Sequence, residues 1–243
     1  RVMLWAGGPE PAGASLAWGT AAGILAGGAC GLLNGVVITR FNLPPFIVTL
    51  GAMSLFRGIA LVMNDGQPYN VDAYSYLDTG MLLGLPVSAW LFLAVALAAG
   101  FVLNFTRPGR YAYAIGSNEE AAFHAGIDVR KHKTLIYTVS GLLVGLAAMI
   151  GVSRTVSAQP TAGAGMELDV IAAVVIGGAS LSGGRGSVTG TVIGTFLIFF
   201  LRNGCNLLGI TSNPQFIVIG IVIVAAVAID QAARGRAVKG AAG

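Results

Sequence analysis

The chain has 243 residues, with 14 Lys and Arg, 10 Asp and Glu, and a formal net charge of +4. Charged residues form 10% of it and hydrophobic residues 55%, against about 25% charged in an ordinary soluble domain. So few charges cannot cover the surface of a water-soluble enzyme of this size. The 36 glycines, about twice the usual ~7% share, follow no three-residue period and so exclude collagen. What remains is a glycine-rich, all-α, polytopic membrane protein.

The sequence opens at Arg1 with neither an initiator methionine nor a signal-peptide pattern. Residues 1–13 read as the interior of something longer, so the chain is expected to be a fragment. A membrane-crossing helix needs about 20 mostly apolar residues. Seven runs qualify as candidate spans, at roughly 14–38, 45–63, 81–103, 134–152, 168–181, 187–203 and 214–230. Their continuity, without ten-residue alternation, predicts helices and excludes barrel strands.

In the first span, Gly19, Gly23, Gly27, Gly31 and Gly35 recur every fourth residue. Small residues at that spacing let a second helix backbone approach closely. The ridge is expected to pack within the subunit, with a gate or a seam between subunits as the other reading. Asn34 sits among these glycines and suits an interhelical hydrogen bond. The loop 64–80 contains aspartates and no cation, which predicts an external face. The loop 104–133 carries Arg107, Arg110, Arg130, Lys131 and Lys133, and the tail carries Arg234, Arg236 and Lys239. Both are therefore expected in the cytoplasm.

Within that cationic loop, Gly116 to Gly126 has the features of a short helix. Ser117 followed by Glu120 fits a capping box, Ala121, Ala122 and Ala125 are strong helix formers, and Gly126 suits a left-handed stop. About eight residues give a helix of roughly 12 Å, too short to persist alone in water. It must dock, either on its own membrane domain or on a cytoplasmic partner. His124 and His132 are expected on a solvated face.

The fifth run is short and glycine-rich, suited to a half-span or a re-entrant piece packed against protein. Glu167 and Asp169 adjoin it and are expected on a solvated rim, and Arg57 and Arg202 are expected to snorkel. Gly186, Gly190 and Gly194 repeat the four-residue spacing in the next span. The stretch Ser182 to Ser187 lacks the phosphate-loop pattern G-x-x-x-x-G-K-[ST], as does the rest of the chain. Any ATP hydrolysis must then come from another subunit. Cys30 and Cys205 have no C-x-x-C spacing, which argues against a disulfide framework or a metal site. No basic soluble module of the kind that reads nucleic acid is present.

Three segments carry a family resemblance. Residues 44–51 (PPFIVTLG) with Arg57-Gly58 after them, residues 109–122 (GRYAYAIGSNEEAA) and residues 160–187 (PTAGAGMELDVIAAVVIGGASLSGGRGS) stand in the family's order. From about residue 20 to residue 230 the chain resembles the membrane subunits of ribose- and xylose-type sugar ABC importers. The resemblance implies a single transmembrane permease domain over 1–243, similar to type II importers, lacking about three N-terminal helices. It implies that Glu119, Glu120, Ala121, Ala122 and Gly126 contact an ATPase subunit that binds ATP and Mg. It further implies a second permease subunit, expected to be a copy of the first, and an external sugar-binding protein. Glu167 and Asp169 are candidates to receive that protein.

The expected setting is a bacterial inner membrane, with a cytoplasmic C-terminus and alternating access between subunits. Gly23, Gly27, Gly31, Gly35 and Asn34 are the candidate packing or pathway residues. Neither a cofactor nor a catalytic residue is expected on this chain. The alternatives are a branched-chain amino-acid ABC permease and an ion-coupled secondary carrier. The carrier usually needs ionisable groups near mid-membrane, and none is clearly placed there.

Overall fold

The computed structural model describes residues 13–71, 80–211, 214–222, 224–225 and 228. Helix α1, Gly13–Phe41, ends at Asn42, whose φ of 51° turns the chain. Helix α2, Pro45–Met63, then starts with a proline in its first turn, where a missing N–H costs nothing. Strand β1, Tyr69–Asn70, follows. Strands β2, Met81–Leu82, and β3, Leu85–Pro86, form a tight hairpin. Its two central residues, Leu83 and Gly84, have φ of 53° and 81°, the left-handed pair a type I′ turn requires. Helix α3, Val87–Phe105, follows. The third span thus starts six residues later than its apolar run predicts, because residues 81–86 turn back on themselves.

The cationic loop is largely helical. Helix α4, Arg107–Ser117, and helix α5, Glu119–His124, lead into helix α6, Val129–Thr155. Helix α6 begins five residues before the predicted 134, because Asp128 accepts a hydrogen bond from Lys131 N at 3.0 Å and caps a polar first turn. Strand β4, Ser157–Ala158, pairs antiparallel with β1. Helix α7, Met166–Ile176, has 11 residues. At 1.5 Å per residue that is about 16 Å, half of a hydrocarbon core. A turn leads to helix α8, Val188–Leu207, and residues 214–222 are again helical. Among the described residues, five helices are long and apolar enough to cross a membrane: Leu16–Phe41, Pro45–Met63, Val87–Phe105, Val129–Thr155 and Val188–Leu207. The cationic tail residues 234, 236 and 239 lie outside the described residues.

The chain divides into two compact units, residues 1–95 with 126–162 and residues 96–125 with 163–243. In the first, α1 packs chiefly on α6, and glycines set the contact. A side-chain carbon on Gly27 would lie 2.8 Å from Gly145 Cα, and one on Gly31 would lie 3.0 Å from Gly141 Cα. One on Gly35 would lie 2.9 Å from Thr134 Cα, while Gly23 abuts Met149. Positions rise along α1 as they fall along α6, so the helices run antiparallel with their backbones touching. Thr39 and Thr134 add a hydroxyl–hydroxyl bond of 3.2 Å at one end.

In the second unit the same device joins α7 and α8. A side-chain carbon on Gly194 would lie 3.1 Å from Gly177 N, and one on Gly177 would lie 2.8 Å from Thr191 N. Ala172, Ala173 and Ile198 form the buried centre there. Helices α2 and α3 bury no residue. Side chains such as Val62, 80% exposed, and Phe46, 71% exposed, form apolar surface of an extent that suits lipid or other membrane helices.

Candidate functional site

The sharp entry into α4 depends on Gly109, where a side-chain carbon would lie 2.5 Å from Leu103 Cα. Pro108 occupies the first turn, where proline is tolerated. Helix α4 ends at Asn118, which also starts α5. The Asn118 backbone N–H donates to Ala114 O at 3.1 Å, and its side-chain oxygen accepts from Ala121 N at 2.9 Å. The cap of α5 is therefore Asn118, and Ser117 belongs to the last turn of α4. Helix α5 has six residues, not eight, because α4 takes up the residues before it.

On α5 the side chains of Glu119, Glu120, Ala121, Phe123 and His124 are exposed, whereas Ala122 is only 4% exposed. Gly126 has φ of 83° and open space where a side chain would stand, so it ends the segment in the left-handed conformation. Phe123 is 66% exposed and lies edge-on to His124, with ring centroids 5.7 Å apart. Phe123 is thus an exposed aromatic between two glutamates and a basic loop, a feature that spacing alone did not single out. Its signal is an aromatic ring in a short, otherwise polar and small-residue helix.

Behind this segment, α4 packs on the turn that joins α7 to α8. The Tyr113 hydroxyl donates to Gly186 O at 2.9 Å. A side-chain carbon on Gly116 would lie 2.7 Å from Gly184 N, and one on Gly184 would lie 2.7 Å from Ser117 Cα. At the other end of α7, Asp169 pairs with Arg202 of α8 at 2.6 Å. The Arg202 guanidinium stands 5.8 Å from the centre of the Phe216 ring. Arg202 is thus held by a carboxylate and a ring instead of snorkelling alone. Glu167 is exposed beside this pair.

The first unit holds the glycine ridge, with Asn34 half-buried on the same helix. It also holds a cavity of about 520 Å³ lined by residues including Gly19, Gly23, Met63, Asn64, Tyr69 and Gln159. Asn64 Nδ2 donates to Gln67 O at 2.7 Å in its wall. Among the described residues no cluster of His, Cys, Asp and Glu is grouped to hold a metal.

The family described as branched-chain amino acid transport system / permease component matches residues 2–227. The chain is 46% identical over 216 residues to the ribose import permease of Escherichia coli (strain K12), covering 86% of this chain and 67% of that one. The ribose import permease of Bacillus subtilis (strain 168) is 48% identical over 202 residues, covering 82% and 63%. The L-arabinose transport system permease of E. coli (strain K12) is 41% identical over 219 residues, covering 89% and 67%. The chain thus spans about two thirds of the length of these relatives, and no solved structure matches it. With a family match across nearly its whole length and relatives above 40% identity, the chain belongs to this family of transport-system permease components.

Proposed function

We propose that the chain is the membrane-spanning permease subunit of an ATP-driven importer for a monosaccharide of the ribose class. The observation that carries this reading is the 46% identity, over 216 residues, to a ribose import permease. The family's printed description includes branched-chain amino acids, but relatives at 41–48% identity carry ribose and L-arabinose in their names. A sugar is therefore favoured over an amino acid. The setting is the bacterial inner membrane, with several crossings and a cytoplasmic C-terminus. In this reading residues 1–243 act as one permease domain of a type II-like bundle with about seven spans, α7 among them as a short or re-entrant one.

Chemistry on substrate is not part of this role. ATP and Mg belong to a separate ATPase subunit, and an external binding protein delivers the sugar. Two copies of the permease form the pathway and alternate between outward and inward access as the ATPase pair closes. The exposed face of α5 is the ATPase contact: Glu119 and Glu120 meet cations at a cleft rim, Ala121 and Gly126 allow close approach, and Phe123 supplies the apolar anchor. Ala122, turned inward, supports that face. Glu167, beside the Asp169–Arg202 pair, is the candidate for binding-protein docking.

The test reverses the charge of the docking face. Glu119→Lys with Glu120→Lys is expected to weaken co-purification with the ATPase subunit at least about tenfold, the effect of roughly 1.4 kcal/mol, while membrane insertion stays intact. Undiminished co-purification of the double variant would remove α5 from the contact.

A further inference from the structure

The turn between α7 and α8 is built unlike a passive connector. Gly178, Gly183 and Gly184 have φ of 86°, 87° and 73°, conformations that suit glycine and strain other residues. The turn is closed on itself: Ser180 N donates to Arg185 O and Gly183 N to Ser180 O, both at 3.0 Å. Ser187 then caps α8, its hydroxyl accepting from Gly190 N at 3.0 Å. The turn is a compact, self-bonded body joined to both helices of the hairpin.

That body meets the last turn of α4 through backbone. Gly116 and Gly184 leave no room for a side chain on either partner, and the Tyr113 hydroxyl donates to the carbonyl of Gly186. The contact continues on both sides. Asn118 bonds both α4 and α5, while Gly177 lies against Gly190 and Gly194 across the α7–α8 seam. Close-packed backbone transmits displacement because it has no rotamer to absorb it. A long side chain at the same place would yield instead.

We propose that the 178–187 turn is the element through which movement of α4 and α5 reaches the α7–α8 hairpin, with Tyr113 as its positioning residue. The proposal rests on the permease reading above and adds to it which helices receive the movement. The joint at Gly126 has open space around it, whereas Gly109 packs α4 closely against the end of α3, the helix that precedes it in the chain. The 178–187 turn is what links α4 to the α7–α8 hairpin.

The test uses the assembled importer, permease with ATPase subunit and binding protein, in proteoliposomes supplied with radiolabelled ribose or L-arabinose. Sugar uptake and ATP hydrolysis are measured on the same vesicles. Tyr113→Phe removes only the hydroxyl, and Gly116→Ala places a carbon against Gly184 N. Uptake per ATP hydrolysed is expected to fall roughly fivefold in Tyr113→Phe, the size of one net hydrogen bond, and further in Gly116→Ala. Complex assembly and ATP hydrolysis should stay within about twofold, which a merely structural defect would not allow. If Gly116→Ala does not assemble, Tyr113→Phe alone decides. An unchanged ratio in Tyr113→Phe, with normal wild-type uptake, overturns the transmission role and leaves the permease reading standing. Loss of ATPase-subunit binding would also overturn it, since the turn would then serve docking. Absence of ATP-stimulated uptake of either sugar by the wild type overturns the permease reading, and the transmission role with it.

Discussion

At Gly27 a side-chain carbon would lie 2.9 Å from Gly145 N, whereas at Gly51 nothing stands within 4 Å. The same substitution should therefore have opposite effects at two glycines that composition treats alike. Gly27→Ala forces the α1 and α6 backbones apart, an overpacking that costs about 1–3 kcal/mol. Gly51→Ala adds a better helix former in open space and contributes up to about 1 kcal/mol. Thermal unfolding of the two purified variants in detergent checks this: the midpoint should fall for the first and hold or rise for the second. A fall of equal size in both would mean that the α1–α6 contact does not set the sensitivity. The four-residue spacing was legible in the sequence, but its partner was not. Gly141 and Gly145 show the same spacing, yet nothing local says which of several glycine-bearing helices will meet α1. At Asn118 the signal was local and ambiguous, because Ser and Asn cap equally well and only the end of α4 excludes Ser117.

Helix boundaries follow the same division between local and tertiary causes. The long apolar runs of α1, α2, α3 and α8 were readable because lipid requires continuous apolar length. The first turn of α6 and the whole of α4 were not, since polar residues and Pro108 read as loop until caps and packing are known. The pairing of α7 with α8, packed through its glycines and alanines, also includes one interaction that sequence spacing does not reveal. Asp169 and Arg202 lie 33 positions apart and meet at 2.6 Å, with side chains 17% and 33% exposed. Among the described residues, Asp169 Oδ1 and Arg202 Nε are buried without hydrogen-bond partners. The pair therefore carries a desolvation cost that its mutual attraction must offset. Asp169→Asn leaves the arginine charge uncompensated and should cost about 1–3 kcal/mol, less than the 3–5 of a fully buried pair. Asp169→Leu combined with Arg202→Met removes both charges and should recover most of that loss. Unfolding midpoints across the double-mutant cycle measure the coupling, and strictly additive effects would show that the contact contributes nothing.

For the whole molecule, the distribution of cations predicts which side of the membrane each connecting segment faces. Arg107 and Arg110 lie on α4, and Arg130, Lys131 and Lys133 lie in the first turns of α6, so five cations flank the six residues of α5. The segment from Asn64 to Val71 carries Asp65 and no cation. Among the described residues, α3 alone lies between these two regions as a helix of spanning length, so they should open on opposite sides, with the cationic one in the cytoplasm. Both Asp65 and Lys131 are exposed and suit replacement in a chain whose Cys30 and Cys205 have been changed to serine. A membrane-impermeant maleimide should label Asp65→Cys in right-side-out vesicles and Lys131→Cys in inverted ones. Labelling of both from one face would mean that α3 does not cross. Labelling of Lys131→Cys from outside would place α5 where no ATP is available. Because α5 and the 178–187 turn touch the same helix, α4, that single outcome would take both the docking face and the transmission contact out of the cytoplasm.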